Sequence, residues 1–170
     1  DRSATKHICC HALSCLFYSD GDAVFTEGRR AEHMLFVYSG KLCYERRLRE
    51  KELQNLQNGA WCSEAALWTS WTHVGTLWSE RMGSVLHIHA DKFAAVTKQH
   101  SWLIGPCSHY ARLFVENLNE LAAIGQVTDL EKDCSRLRAS VPFQDLRWGS
   151  MNQETNLPNL SASTFSHLFP

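Results

Sequence analysis

The side chains best placed to do chemistry sit in one segment, residues 58–77, NGAWCSEAALWTSWTHVGTL. It holds Glu64 as its one carboxylate, three of the chain's six tryptophans (Trp61, Trp68 and Trp71), His73, and no lysine or arginine. A carboxylate can accept from hydroxyls or act as a general base, and a histidine can do acid–base or metal chemistry near neutral pH. Acid–base catalysis needs a second titratable partner, and Glu64 has no acidic neighbour in the sequence. His87 and His89 follow on alternate positions and with His73 make three imidazoles, but no cysteine or carboxylate spacing completes a zinc set. Nucleophile elbow, P-loop, HExxH and glycine-rich dinucleotide turn are all missing from the sequence. No catalytic residue and no metal ligand is therefore assigned, and the chain is not expected to be an enzyme.

Composition narrows the remaining classes. At 170 residues, 44% apolar and 21% charged, the chain suits one domain with a substantial core and some appendages. Seventeen basic against eighteen acidic side chains leave a formal charge of −1, so no global basic field recruits nucleic acid. No run approaches the roughly eighteen apolar residues of a spanning helix, so no transmembrane segment is expected in this chain. It starts at Asp1, which reads as a fragment or processed product with a membrane or targeting segment free to lie upstream. Seven cysteines without a CxxC pair read as reduced, mostly buried thiols, with Cys9, Cys10 and Cys15 as the group to watch. A soluble chain in a reducing compartment follows, cytoplasm or organelle interior, free to sit at the periphery of a membrane; the compartment itself is not readable.

The elements that must position these residues change character at Pro106. Before it there is no proline, and glycines 21, 28, 40, 59, 75 and 83 punctuate short apolar runs as turns punctuate strands. The run from His33 to Tyr38 stops at Ser39-Gly40 and resumes to Glu45, which predicts a hairpin. Residues 46–58 read as a solvated hairpin extension or loop. From Gly83 to His89 the residues alternate, with Leu86 and Ile88 on one face and Val85, His87 and His89 on the other, predicting one buried face. Asp91 is placed to cap a short helix through Phe93 and Val96. Ser108 is placed to cap a longer one carrying Tyr110, Leu113, Phe114, Leu118, Leu121 and Ala122 at helical spacing. After a break at Gly125, residues 126–140 read as a further helix with Leu130 and Leu137 inward. Residues 141–170 hold three prolines among Asn and Ser, yet carry isolated apolar anchors. Of these, Phe143, Trp148, Leu157, Leu160, Phe165 and Phe169 are the residues expected to dock along a surface, its own or a partner's.

An α+β class follows from that order, and motifs make it specific. Phe17, Gly21-Asp22, Val24-Phe25, Glu27-Gly28, Glu32-His33-Met34, Phe36-Val37 and Ser39-Gly40-Lys41 stand in an order that resembles the front half of a cyclic nucleotide-binding domain. SEAALW sits where that family places its phosphate-binding cassette, G-E-x-A-L-L. The likeness runs over about residues 16–125; YARLFVENLNEL resembles the last helices of channel-type members, and W-x-H-x-G-x-L resembles versions attached to protist and algal channels. The resemblance implies an eight-stranded, jelly-roll-like β-roll closed by N- and C-terminal helices that shift when ligand binds. Its expected partition is a lead-in at 1–15, the β-roll at 16–100, C-terminal helices at 101–140 and an irregular tail at 141–170.

The family's cassette, as the resemblance implies, offers backbone amides to the cyclic phosphate, a carboxylate to the ribose and an arginine to the phosphate. Glu64 matches the carboxylate. Ser63 stands in place of a glycine, bringing a Cβ where positive φ and close approach are wanted. His73 stands in place of the arginine and Val74 in place of a hydroxyl residue, with Ala65 and Ala66 completing the expected pocket. Losing a charge-assisted contact of about 1.5–3 kcal/mol weakens binding roughly ten- to a hundredfold. The tryptophans, Trp78 included, are either core or stacking surfaces for a purine. The reading chosen is a noncatalytic module with a degenerate cassette and no cofactor, acting through protein partners as a regulatory or structural part of a larger assembly. A working cAMP or cGMP sensor of a cation channel or kinase is the alternative. A third reading is an accessory subunit of a membrane-associated complex, held by the tail.

Overall fold

The fold is given by a computed structural model, which describes residues 2–47 and 51–130. In chain order the elements are α1 (Arg2–His11), β1 (Leu13–Tyr18), β2 (Ala23–Phe25), β3 (His33–Arg47), β4 (Lys51–Leu56), β5 (Trp61–Cys62), α2 (Ala65–Trp68), β6 (Thr76–His89), α3 (Ala90–Gln99) and α4 (Ser101–Ala123). All strand pairings are antiparallel, in the order β1-β6-β3-β4, with β2 also on β6 and β5 on β3. The architecture is thus the antiparallel β-roll with flanking helices that the sequence led us to expect.

The long pair β3–β6 forms the spine. It runs in register from His33↔His89 to Val37↔Val85, shifts between Val37 and Leu42, and resumes from Leu42↔Ser79 to Glu45↔Thr76. The shift falls where Gly40 and Gly83 cross. A side-chain carbon on Gly40 would meet the Gly83 Cα at 2.7 Å, so only glycine allows the strands to bend against each other there. Among the described residues the sheet has six strands, of which β3 and β6 bend at this crossing, against the eight that the resemblance implies.

Alternation along the spine sorts side chains between two cores, so both faces are buried, not the single one expected from the pattern. Met34, Phe36, Leu86 and Ile88 face a helical layer with Ala4 and Ile8 of α1, Phe93 and Val96 of α3, and Leu103 of α4. Leu35, Val37 and Val85 face the roll interior with Phe25, Leu42, Tyr44, Leu56 and Leu77. The outer face is buried because α1 and α3 cover it; the expected lead-in is therefore a packed helix.

Other expectations shift. The hairpin expected to turn at Ser39-Gly40 is overturned: β3 runs from His33 to Arg47 with only a bend at Gly40, because residues 33–45 pair along one strand, β6. The hairpin is instead formed by residues 42–47 of β3 with 51–56 of β4, where Leu53 is exposed but Arg46 and Leu56 are buried. Asp91 lies in the first turn of α3, not at its cap, which is His89. The long helix starts at Ser101 and passes through Pro106, so Ser108 is interior. Proline there forgoes one hydrogen bond near the start of a 23-residue helix whose burial of Leu103, Cys107, Tyr110 and Phe114 outweighs the loss. Of the described cysteines, Cys43, Cys62 and Cys107 are buried, Cys9 half-buried, and Cys10 and Cys15 exposed. No helix among the described residues is long and apolar enough to cross a membrane.

The expected helix after Gly125 is overturned within the described residues. Ile124 ends α4, and Gly125 (φ +68°) takes the left-handed position that follows. Its amide donates to the Ala122 carbonyl at 3.0 Å, and the Gln126 amide donates to the Leu121 carbonyl at 2.8 Å. This is the paired closure of a helix end by glycine, and it reverses the chain. Residues 126–130 return to the roll, where Leu130 bridges Cys62 of β5. Leu137 and the tail residues Phe143, Trp148, Leu157, Leu160, Phe165 and Phe169 lie outside the described residues.

Candidate functional site

The returning segment brings Asp129 into the roll, between β5 and the stretch that leads to β6. Its carboxylate meets five groups. Oδ1 accepts from Trp71 Nε1 at 2.7 Å and lies 3.0 Å from His73 Nδ1. Oδ2 accepts from the Val74 and Gly75 amides at 2.9 and 3.0 Å and from the Tyr44 hydroxyl at 2.9 Å. The side chain of Asp129 is fully buried. A carboxylate removed from water is tolerable when its lone pairs are met by fixed donors, and two of these belong to the backbone.

Each part of this cradle is positioned by a neighbour. The Phe25 ring lies flat on His73, centroids 3.7 Å apart and planes within 5°, fixing the imidazole. The His73 amide donates to the Arg29 carbonyl and the Gly28 amide to the His73 carbonyl, both at 2.9 Å, zipping the stretch to the loop before β3. Gly75 has no room for a side chain, since an added carbon would lie 2.5 Å from the Tyr44 ring. Two positions along from Tyr44, on the same face of β3, the buried Arg46 donates to the Gly125 carbonyl at 3.1 Å. Strand β3 thus holds the returning segment at its first residue and at its acid. The Ser63 amide also donates to the Asp129 carbonyl at 2.6 Å.

The acid shapes its surroundings. Burial first, and then the charge of Asp129, push both the Tyr44 hydroxyl and the Cys62 thiol far above their ordinary range. Both therefore stay protonated beside it.

Glu64 is turned elsewhere. Its Oε1 accepts from Trp68 Nε1 at 3.1 Å and from the Tyr110 hydroxyl at 2.8 Å, tying the short helix α2 to α4. Ala65, Ala66, Trp71, Tyr110 and Phe114 form the apolar cluster beneath that contact. What remains between β5, α2, α4 and the returning segment is a cavity of about 40 Å³ lined by Trp61, Glu64, Phe114, Leu118, Asp129 and Leu130. Pockets that enclose a small organic ligand run from about 300 Å³ upward.

Residues 15–100 match the family model described as cyclic nucleotide-binding domain. The chain belongs to that family. No curated protein matches it. Among solved structures it is similar in fold to the N-terminal domain of a transcriptional regulator from Streptomyces coelicolor A3(2), with a TM-score of 0.59 at 14% identity over 75% of this chain and 88% of that one. It is likewise similar to the Thermus thermophilus catabolite activator protein, with a TM-score of 0.54 at 16% identity over 74% of this chain. This chain spans 60% of that protein's length. The C-linker/CNBHD of zELK channels, crystallized in the presence of cAMP, gives a TM-score of 0.53 at 13% identity over 61% of this chain and 52% of that one.

Of the cassette residues named from sequence, His73 and Val74 meet the Asp129 carboxylate and Ser63 its carbonyl, while Glu64, Ala65 and Ala66 lie toward α4. His73 also lines a second cavity of about 320 Å³ with Arg29, Arg30 and His87. Ser63 does take the glycine's backbone conformation, φ +59°, which a side chain adopts only under strain. It is buried, with its hydroxyl 3.5 Å from His73 Nδ1. His73 faces an anion, as an arginine replacement would, but the anion is supplied by the chain itself. Val74 contributes its amide; Ala65 and Ala66 pack under α4. The tryptophans divide: Trp61 and Trp71 are buried, and Trp68 packs its ring against Phe93 and Tyr110. Sequence reasoning missed Asp129, Tyr44 and Arg46. The signal was Val127-Thr128, two β-branched residues straight after the helix-ending glycine, which favour extended chain over a new helix.

The three imidazoles weighed as metal ligands do not converge. His73 belongs to the cradle. His87 and His89 instead sit with His33, ring centroids 5.3 and 4.8 Å from it, and the Tyr18 hydroxyl lies 3.1 Å from His87 Nε2. Among the described residues no group of His, Cys, Asp and Glu is arranged to hold a metal.

Proposed function

We propose that this is a noncatalytic regulatory module in which the family's nucleotide cassette is occupied by the chain's own Asp129, so that the position of α4 is set without cAMP or cGMP and is read by protein partners. The observation that carries this reading is the Asp129 carboxylate on the Val74 and Gly75 amides with Trp71 and His73 at its other oxygen. His73 and Val74 stand where the resemblance puts the phosphate-pairing residues, and an anion delivered there by a tethered segment competes at an effective concentration near millimolar. Glu64 adds support, because its carboxylate is bonded to Trp68 and Tyr110 and so holds α4 closed instead of waiting for a ribose. The partners favoured are proteins, including a membrane-protein complex, with no nucleic acid involved. The chain's compartment stays as the sequence analysis left it.

The test is a titration of the full chain with cAMP and cGMP to millimolar, followed by melting temperature and tryptophan fluorescence. A ligand present at a hundred times its dissociation constant adds about 2.7 kcal/mol of stability. This reading expects no shift. A saturable rise returns the chain to the sensor class.

A further inference from the structure

The segment seated in the cassette is a short extended peptide, and the way it is held describes a recognition site. Val127 packs against the cluster of Ala65, Trp71, Tyr110 and Phe114, and Leu130 against the roll interior. Between them Asp129 fills the five-membered cradle, and the backbone pairs with β5 through the Ser63 amide and the Cys62–Leu130 bridge. Main-chain pairing to a strand edge together with alternate side-chain seats is how extended peptides are captured by added-strand recognition. Only one turn of chain, at Gly125, joins this peptide to α4. The Gly125 Cβ position faces open space, with nothing within 4 Å of it.

We propose that the cassette is a binding site for an acidic peptide in trans: an extended segment of a partner protein carrying an apolar residue, any residue, then aspartate and a second apolar residue, which takes the seat of residues 127–130 when these withdraw. The occupant's chemistry is set by charge complementarity, since the cradle presents backbone amides, an indole and a phenol to one carboxylate. It is set also by the spacing of the two apolar seats around it. A neutral peptide leaves these donors unmet, and a bare anion fills neither apolar seat. The inference rests on the reading of the cassette as a carboxylate seat.

The experiment uses the full chain with Asp129→Ala, which empties the cradle, and two labelled peptides copied from residues 125–130, GQVTDL and its Asn counterpart GQVTNL. Fluorescence anisotropy should show the aspartate peptide binding the variant at least tenfold more tightly than the asparagine peptide. It should bind the wild-type chain more weakly than the variant, because the tethered segment competes. Equal binding of the two peptides, or no binding by a variant that melts cooperatively, overturns the proposal. If Asp129→Ala does not fold, amide spectra of the wild-type chain decide instead. Millimolar GQVTDL should move the Val74, Gly75 and Trp71 indole signals while GQVTNL does not, and unmoved signals overturn it. Adding cAMP to the wild-type chain reads the underlying proposal separately: a melting shift there removes the carboxylate-seat reading, whereas failure of the peptides alone removes only recognition in trans.

Discussion

The Asp129 cradle and the cluster of His33, His87 and His89 both bring ionisable side chains into the roll, yet they are furnished in opposite ways. Around Asp129 the fold gathers backbone amides, an indole and a phenol, and the acid is met on both oxygens. Around the histidines it gathers other histidines. His87 has the Tyr18 hydroxyl at 3.1 Å, and His89 Nδ1 is buried with no hydrogen-bond partner among the described residues. Burial first, and His33 next, push His87 down to about 4. Burial also lowers His33, with His89 and Lys92 acting the same way and Glu32 against them. The first region meets its acid with donors on both oxygens; the second disfavours charge on His33 and His87. Substitution is therefore the way to disturb the cradle, and acid the way to disturb the cluster.

The largest effect should come from Asp129→Ala. Removing one member of a buried, fully bonded charged group leaves the others unmet and costs on the order of 3–5 kcal/mol. A lowered melting temperature, with Trp71 fluorescence changed, is the expected outcome; an unchanged melt would mean that the returning segment contributes nothing to the fold. Next comes the cluster. A histidine that is neutral when folded and charged when unfolded stabilises the native state above its ordinary 6.5, and that stability is lost as pH falls from 6.5 toward about 4. For His87 the loss is on the order of 3 kcal/mol. Denaturant melts at steps through that window should show it, and His87→Gln should flatten the decline. If the decline is unaltered in His87→Gln, other groups carry it.

Tyr44→Phe sharpens the comparison by removing one donor from the acid while keeping the ring, at about 1.5–3 kcal/mol for a hydrogen bond to a charged group. Its effect should vanish in the Asp129→Ala background, since the two act on one contact; additive losses would separate them. Smallest is Gly125→Ala, about 1 kcal/mol for a side chain at a left-handed helix end. Hydrogen exchange should show that loss chiefly at residues 126–130, not across the roll.

Much of the fold was legible because glycine punctuation and apolar runs report locally on strands and turns. Residues 33–45 were legible as strand but not as one strand: the expected hairpin turn at Ser39-Gly40 is only a bend within β3, and the cassette at Ser63 and Glu64 came from the family resemblance. Burial on both faces of β6 was not, because the second cover comes in part from α1, more than sixty residues earlier in the sequence, together with the adjoining α3. The candidate site was half legible. Ser63, His73 and Val74, named from the sequence, all lie against Asp129. The anion itself could not be read, since Asp129 lies 54 residues beyond Gly75 and nothing in a single aspartate announces which amides it will meet. Reading residues 126–140 as helix hid it further, because a helix would carry Asp129 past the roll instead of into it.

The central claim is that these amides are held by the chain's own carboxylate. Hydrogen exchange of the Val74 and Gly75 amides and the Trp71 indole, measured without nucleotide in the wild-type chain and in Asp129→Ala, tests it most directly. All three should be protected in the first and released in the second. Free exchange in the wild-type chain, with protection only once cAMP or cGMP is added, would contradict it.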